Sequence, residues 1–181
     1  MLLSGLGAGK YQTADGAWYE GAAGAAGGLM DASILKKVPL FEGLTNTQLG
    51  KIAAIAGERT YEGSAHVFRE GDAGKEMYVI VEGKVRISKM IPGAGEEALA
   101  ILERGQYFGE MAVIEDSPRS ADAIAHIPCT LGVIDRDKLD QVMFTDKDLA
   151  YVLLWTFVRT LSERLRETNE KLRAFFAVSK W

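Results

Sequence analysis

The residues best suited to chemistry lie close together in the segment FGEMAVIEDSPRSA, which covers positions 108 to 121. Gly109 permits a close approach of backbone to a ligand, and the residues after it can form one helical turn whose free N–H groups face an anion. Arg119 adds a planar, permanently charged fork that suits phosphate oxygens, and the Ser120 hydroxyl can donate to the same group. Glu110 supplies an acceptor for a sugar hydroxyl, since its charge would be costly to bury among apolar neighbours without a partner.

Together these groups define the shape of a ligand. A molecule with one phosphate and one free ribose hydroxyl, held against apolar walls, would satisfy each of them, and a cyclic mononucleotide has that form. The alternative is that no ligand binds and that Arg119 is a surface ion-pair partner of Glu115 or Asp116. Both interpretations stay open on these residues alone.

The residues around this segment have the period of short β-strands punctuated by glycine. Seven strands are predicted, at 59–62, 66–70, 77–81, 85–90, 98–102, 121–127 and 130–134. Gly71, Gly83 and Gly105 fall where the strands must turn, and each can adopt a positive φ at little steric cost. The predicted fold is mainly β with flanking helices, an antiparallel jelly-roll β-barrel.

Helices are predicted on both sides of the barrel. Thr45 and Gln48 have the spacing of a capping box, and apolar residues recur at helical intervals until Gly57. After the barrel, helices are predicted from Arg136 to Phe144 and from about Asp146 towards Phe176. On the last helix an apolar seam with alternating steps of four and three predicts a partner surface, and a homodimer is the simplest case. Its members are Leu161, Leu165, Thr168, Leu172 and Phe175.

The chain divides into three parts on these grounds. Residues 1–30 are rich in glycine and alanine and are expected to form a flexible arm. Residues 31–145 are expected to form the β-barrel domain with its N-terminal helices. Residues 146–181 are expected to form the long C-terminal helix, which would serve as a dimerisation element and as a lid over the site.

The segment from 108 to 121 closely resembles the phosphate-binding cassette of the cyclic-nucleotide-binding domain family, which includes the catabolite activator protein and protein kinase A regulatory subunits. The resemblance covers about residues 38 to 172, with the runs YVIVEG at 78–83 and CTLGVIDR at 129–136. It implies that Glu110 bonds the ribose 2′-hydroxyl, and that Arg119, Ser120 and nearby backbone amides hold the phosphate of cyclic AMP or cyclic GMP. The ligand-binding positions that it implies are Gly109, Glu110, Met111, Ala112, Arg119, Ser120 and Ala121, with Leu99 and Leu102 as apolar walls.

The long helix resembles the dimer helix of the catabolite activator protein subfamily. The resemblance implies that Thr168 contacts the base bound by its own subunit and that Asn169 lies near the base held by the other. Asparagine stands here in place of the commoner serine, and the choice between cyclic AMP and cyclic GMP stays open. A polar pair that sets the register of a coiled-coil seam is the alternative for these two residues. Because the sequence ends at Trp181, we expect no helix-turn-helix module after this helix.

Composition excludes several other classes of protein. The net charge of −4 and the pI near 5.3 give no basic surface for direct DNA binding. Cys129 is the single cysteine, which excludes an intrachain disulfide and fits a reducing, cytoplasmic location. No secretory signal or membrane span is expected. His66 and His126 lie sixty residues apart without neighbouring ligands, which disfavours a metal enzyme on a jelly-roll scaffold.

The sequence therefore predicts a non-enzymatic receptor that passes its ligand state to a separate, unidentified protein through the C-terminal helix. No cofactor other than the nucleotide ligand is expected. The alternative is an interaction module with a degenerate, empty pocket.

Overall fold

The computed structural model describes residues 10–12, 18–20, 25–115 and 117–178. The strands are β1 Lys10–Gln12, β2 Trp18–Glu20, β3 Ala25–Leu29, β4 Ala56–Tyr61, β5 His66–Phe68, β6 Glu76–Glu82, β7 Lys84–Ile91, β8 Gly95–Glu103, β9 Tyr107–Phe108, β10 Asp122–Ala125 and β11 Cys129–Asp135. The helices are α1 Ala32–Leu35, α2 Asn46–Ile55, α3 Glu110–Glu115, α4 Arg136–Thr145 and α5 Lys147–Val178, and a single 3-10 turn covers Pro39–Phe41.

Two antiparallel sheets form the body of the domain. One has the strand order β5-β10-β7-β8 and the other the order β3-β4-β11-β6-β9, while β1 and β2 pair only with each other among the described strands. The sheets do not close into a continuous barrel, so the predicted jelly roll is present in its open form. All seven predicted strands are confirmed with their bounds shifted by a few residues.

Side chains alternate between the two faces of each strand, and two separate apolar cores result. On β6, Tyr78 and Ile80 pack between the sheets, whereas Met77 and Val79 face the helices. The strand β11 behaves in the same way, because side chains on successive residues point to opposite faces. The inter-sheet core is flanked by the cavity described below, and the helix-side core holds α2, α4 and the first half of α5 against the five-stranded sheet.

The N-terminal ends of α2 and α5 both have polar caps. The capping box at α2 is confirmed, since the Thr45 hydroxyl accepts from the Gln48 amide and the Gln48 side chain accepts from the Thr45 amide. At the start of α5, the Asp146 carboxylate accepts from the Leu149 amide and pairs with Lys51 of α2 at 2.7 Å. The hydrogen bond from Lys51 lowers the pKa of the Asp146 carboxyl from its ordinary value. The beginning of α5 is thereby tied to α2.

The tight turn between β6 and β7 depends on glycine. Gly83 has a φ of +88°, and a Cβ at this position would overlap the Pro128 carbonyl oxygen and lie 2.6 Å from the Cβ of Cys129. The predicted positive φ is also present at Gly71 and Gly105.

Three segments of the expected flexible arm have regular structure, namely β1 and β2, which pair with each other, and β3. Residues 25–29 form β3 on the edge of β4, and the Met30 amide donates to the Ala56 carbonyl at 3.3 Å. Backbone pairing to an open sheet edge requires no large side chains, so an alanine- and glycine-rich strand can form there. Most of the remaining arm lies outside the described residues, and its flexibility and the three-part division of the chain stay predictions.

Among the described residues, no helix is both long enough and apolar enough to cross a bilayer.

Candidate functional site

A cavity of about 470 Å³ lies between the four-stranded sheet, the segment from β9 to α3, and the inner face of α5. Ten of the eleven predicted ligand-binding residues line it. They are Leu99, Leu102, Gly109, Glu110, Met111, Ala112, Arg119, Ser120, Ala121 and Thr168. Asn169 does not line the cavity and is exposed on α5. The fold therefore brings the cassette, the apolar walls and the long helix to one place.

Arg119 contributes a buried cation to the lining of this cavity. Its side chain is only 5% exposed, and its guanidinium lies over the Phe68 ring, with Cζ 4.1 Å from the ring centroid. Nη1 donates to the Gly109 carbonyl at 3.0 Å, while Nε is buried without a hydrogen-bond partner. Burial lowers the pKa of Arg119 from its usual value, although Tyr78 and nearby carboxylates act in the opposite direction.

The described residues do not support the surface ion-pair alternative for Arg119. Glu115 accepts a hydrogen bond from the Ser117 hydroxyl at 3.5 Å, and no described carboxylate lies within 4 Å of the Arg119 guanidinium. Asp116 lies outside the described residues. Arg119 therefore holds a buried positive charge without a direct counter-charge in this part of the chain.

Glu110 is the carboxylate of the site, and it is only 2% exposed at the start of α3. Its Oε1 accepts from Nη1 of Arg164, which reaches in from α5. Nη2 of the same guanidinium donates to the Tyr107 carbonyl at 3.0 Å. A carboxylate has room for further donors, so Oε2 can still accept from a sugar hydroxyl. This ion pair joins the cassette to the long helix.

The backbone of the cassette turns sharply before α3. Gly109 has a φ of +77°, and a Cβ there would lie 2.8 Å from Nη1 of Arg119 and 3.2 Å from the Glu76 carbonyl oxygen. Glycine is therefore required both by the conformation and by the close approach of Arg119. The Ser120 hydroxyl contacts the Met111 sulfur at 3.7 Å.

The inner face of α5 changes character along its length. Leu149, Leu153 and Phe157 are buried in the helix-side core, and the Phe157 ring meets Tyr107 edge to face at 6.0 Å. Beyond Phe157 the same face becomes polar where it crosses the cavity. The residues that α5 contributes to the lining are Thr160, Glu163, Arg164, Glu167, Thr168 and Lys171.

Several cavity-lining residues were not predicted from the sequence, and Arg164 and Phe68 matter most because they contact Glu110 and Arg119 directly. Arg164 was not predicted as a site residue, but it lies four residues before Thr168 and therefore on the same face. That spacing was the signal that could have identified it. Phe68 was predicted only as a strand residue, and no local pattern indicated its stacking under Arg119.

The described residues contain no group of three or more histidine, cysteine, aspartate or glutamate side chains arranged to hold a metal ion. Cys129 is buried, and burial raises the pKa of its thiol to about 11. The cavity is lined by one buried carboxylate, Glu110, which pairs with Arg164, and separately by the guanidinium of Arg119.

The fold and the site define a class of protein: a jelly-roll ligand-binding domain built around one buried cation and closed by a C-terminal helix. Residues 58–146 match the profile of the cyclic nucleotide-binding domain family. This chain thus carries a cyclic nucleotide-binding domain of that family.

Known relatives agree with this assignment. The chain is 31% identical over 143 residues to the cyclic AMP receptor protein of Thermus thermophilus, covering 76% of this chain and 62% of that protein. It is 29% identical over 153 residues to human cGMP-dependent protein kinase 2, covering 82% of this chain but only 19% of the kinase. The chain thus spans less than two thirds of the length of these relatives.

A solved structure shows the same architecture. The crystal structure of a cyclic nucleotide-binding domain from Methylobacillus flagellatus KT superposes with a TM-score of 0.71 at 27% identity, covering 79% of this chain and 80% of that chain.

Proposed function

We propose that this chain is a receptor for cyclic AMP or cyclic GMP, with the nucleotide held in the 470 Å³ cavity. The observation that carries the proposal is Arg119, a buried guanidinium without a described carboxylate within 4 Å. A buried charge without a partner is strongly unfavourable, so an anion at this position would be favoured. A cyclic phosphate carries one negative charge, which matches the single uncompensated cation.

The rest of the nucleotide is assigned from the surrounding groups. Amides of the first turn of α3 have no intrahelical acceptor and, with the Ser120 hydroxyl, would add donors to the phosphate. Oε2 of Glu110 would accept from the ribose 2′-hydroxyl. Leu99, which is 46% exposed, and Leu102 would form apolar walls that the ligand covers. Thr168 lies one helical turn beyond Arg164 and would meet the base.

The comparisons support the class of ligand and leave the base open. By their names, one relative is a cyclic AMP receptor protein and another is a cGMP-dependent kinase. Each contains a region similar to this chain, so both nucleotides are candidates here.

Calorimetry with cyclic AMP and cyclic GMP tests the proposal. At least one of them should bind, and Arg119→Ala should weaken binding by about 2 to 5 kcal/mol because the phosphate loses its buried charge partner. Arg86→Ala is the matched control, since Arg86 pairs with Glu96 outside the cavity lining. Absence of binding by the unmodified protein with both nucleotides would contradict the receptor function.

We also propose that the receptor is a homodimer through the exposed apolar seam of α5, which runs beside the cavity-lining face and includes Thr168 at its border. Exposed apolar residues continue the predicted seam towards the start of the helix, with steps of three and four from Tyr151 through Leu154 and Val158 to Leu161. Leu165, which is 62% exposed, lies at the centre of the seam. Light scattering should report a dimer, Leu165→Lys should produce a folded monomer, and Arg166→Ala should leave the dimer intact.

The dimer gives Asn169 its proposed role. Because Asn169 faces away from the cavity of its own chain, its amide would reach only the base held by the second subunit. Asn169→Ala should therefore weaken nucleotide binding in the dimer and have no effect in the Leu165→Lys background. An equal effect in both backgrounds would place Asn169 in its own subunit's site.

The signal is proposed to leave through α5 to a separate protein, without catalysis by this chain. Arg164 links the helix to Glu110 and to the backbone of β9, so a ligand that competes for Glu110 would shift the population of helix positions. The exposed Phe175 and Phe176 at the end of α5 are the proposed partner contact. Hydrogen exchange across α5 should change when nucleotide is added.

One observation favours a second candidate, an interaction module without a ligand. Arg164 already occupies one oxygen of Glu110, the group that would bind the ribose. If this ion pair keeps the cavity closed to nucleotides, neither cyclic AMP nor cyclic GMP will bind to the unmodified protein.

A further inference from the structure

The guanidinium of Arg119 lies in a slot that exists because two side chains are missing. A Cβ on Gly74, in the loop between β5 and β6, would overlap Nε and Cζ of Arg119 and lie 2.8 Å from Nη2. A Cβ on Gly109 would lie 2.8 Å from Nη1. We call the space between Gly74, Gly109 and the Phe68 ring the arginine slot.

In the part of the chain described, the groups that contact the Arg119 guanidinium in this slot carry no charge. Phe68 offers its ring face at 4.1 Å and the Gly109 carbonyl accepts one hydrogen bond at 3.0 Å. The Tyr78 ring lies farther away, at 5.6 Å. Because no carboxylate pairs with the guanidinium directly, its position depends on shape and on the ring face, and its charge stays available to an anion.

Gly74 differs from the other glycines near the site. Its φ lies outside the left-handed region, so an alanine is compatible with the backbone, and the three atoms nearest to the added methyl group all belong to the Arg119 guanidinium. At Gly71 the situation is reversed, because φ is +85° and a Cβ would meet nothing within 4 Å. The close approach of the guanidinium thus accounts for the absence of a side chain at Gly74.

We propose that Gly74 is a positioning residue for anion binding, which acts through Arg119 and does not line the cavity itself. Phe68 supports the same position from the opposite side of the guanidinium. This inference rests on the proposed receptor function, because the anion is taken to be the phosphate of the bound nucleotide.

The test begins with nucleotide affinity. Gly74→Ala should weaken binding of the preferred cyclic nucleotide roughly tenfold or more, because the displaced guanidinium no longer points at the phosphate. Gly57→Ala is the control, since a Cβ at Gly57 would meet nothing within 4 Å and its φ is not left-handed. Phe68→Leu keeps an apolar side chain but removes the ring face, and should weaken binding about fivefold.

A second variant separates positioning from a general structural effect. In the Arg119→Lys background the planar head is gone, so Gly74→Ala should change the remaining affinity by less than about twofold. Equal losses in the two backgrounds would overturn the inference, as would wild-type affinity in Gly74→Ala.

Urea unfolding provides a readout that needs no ligand. Gly74→Ala should lower the unfolding midpoint when Arg119 is present and leave it unchanged in the Arg119→Ala background. If the unmodified protein binds neither nucleotide, the receptor function and the ligand half of the inference both fail. If nucleotide binds but the coupling between positions 74 and 119 is absent, the receptor function stands and the inference alone is overturned.

Discussion

The ion pair between Arg164 and Glu110 should contribute measurably to the stability of the domain. Glu110 has a side chain that is only 3% exposed, whereas the Arg164 side chain is 39% exposed. Removing the arginine would leave a buried carboxylate without a counter-charge, a change that costs 3 to 5 kcal/mol when both partners are fully buried. Because one side of this pair contacts solvent, Arg164→Gln should lower the free energy of unfolding by about 2 kcal/mol.

A double-mutant cycle measures this contribution. Urea unfolding followed by circular dichroism should give Arg164→Gln a lower midpoint with an unchanged slope. Glu110→Gln preserves the shape of the side chain and removes its charge, so adding it to Arg164→Gln should restore part of the lost stability. Amide exchange between Thr160 and Lys171 should accelerate in Arg164→Gln, since the helix loses its link to the cassette.

The cycle would refute the argument in either of two ways. A loss below about 0.5 kcal/mol in Arg164→Gln would show that solvent screens the pair as it screens surface ion pairs. Additive effects of the two substitutions would show that Arg164 and Glu110 are energetically independent.

Three further predictions concern the fold. Burial raises the pKa of the Cys129 thiol from 9.0 to about 11. The protonated thiol therefore contributes about 2 to 3 kcal/mol to the free energy of unfolding below pH 9, and this contribution is lost as pH rises towards 11. Unfolding of Cys129→Ala measured across this pH range should not show the loss. Gly83→Ala should cost more than about 2 kcal/mol in chemical unfolding because φ is +88° and the methyl group would overlap backbone, whereas Gly57→Ala should stay within about 0.5 kcal/mol. Thr45→Ala should cost about 1 kcal/mol by removing the cap of α2, with Thr45→Ser retaining most of the stability, and thermal unfolding would contradict this if the two variants melt together.

The parts of the fold that the sequence predicted depend on local physical chemistry. The capping box at Thr45 and Gln48 requires residues three apart, and the turn at Gly83 requires one positive φ between two strands. The strands were recognised because their alternation separates two apolar faces over a few residues. These features are determined within a short window of sequence, so no tertiary information was needed.

The parts that escaped prediction are contacts between distant segments. Arg164 and Glu110 are 54 residues apart, and their pairing depends on where α5 crosses the sheet. The stacking of Phe68 under Arg119 depends on the pairing of β5 with β10, which no local pattern encodes. The cassette residues were identified by their chemistry and by family resemblance, but the slot that holds the guanidinium required the three-dimensional arrangement.

The apolar run in the first half of α5 shows a further limit of local reasoning. Leu149, Leu153 and Phe157 in this run are buried. Tyr151 and Leu154 are exposed, so apolar residues extend around the helix beyond the face that the rest of the domain covers. The helical spacing of apolar residues in the sequence does not show which part of a wide apolar face the rest of the domain covers.

The anchoring of α5 at its beginning has a mechanical consequence. Asp146 ties the first turn to Lys51, and the buried residues hold the helix down as far as Phe157. From Phe157 to Val178 the helix extends for about 32 Å, so a tilt of roughly 10° at this fulcrum would sweep its tip through about 5 Å. A displacement of about 2 Å at Arg164, beside the cavity, would thus be roughly three times larger at the far end of the helix, where another molecule could bind.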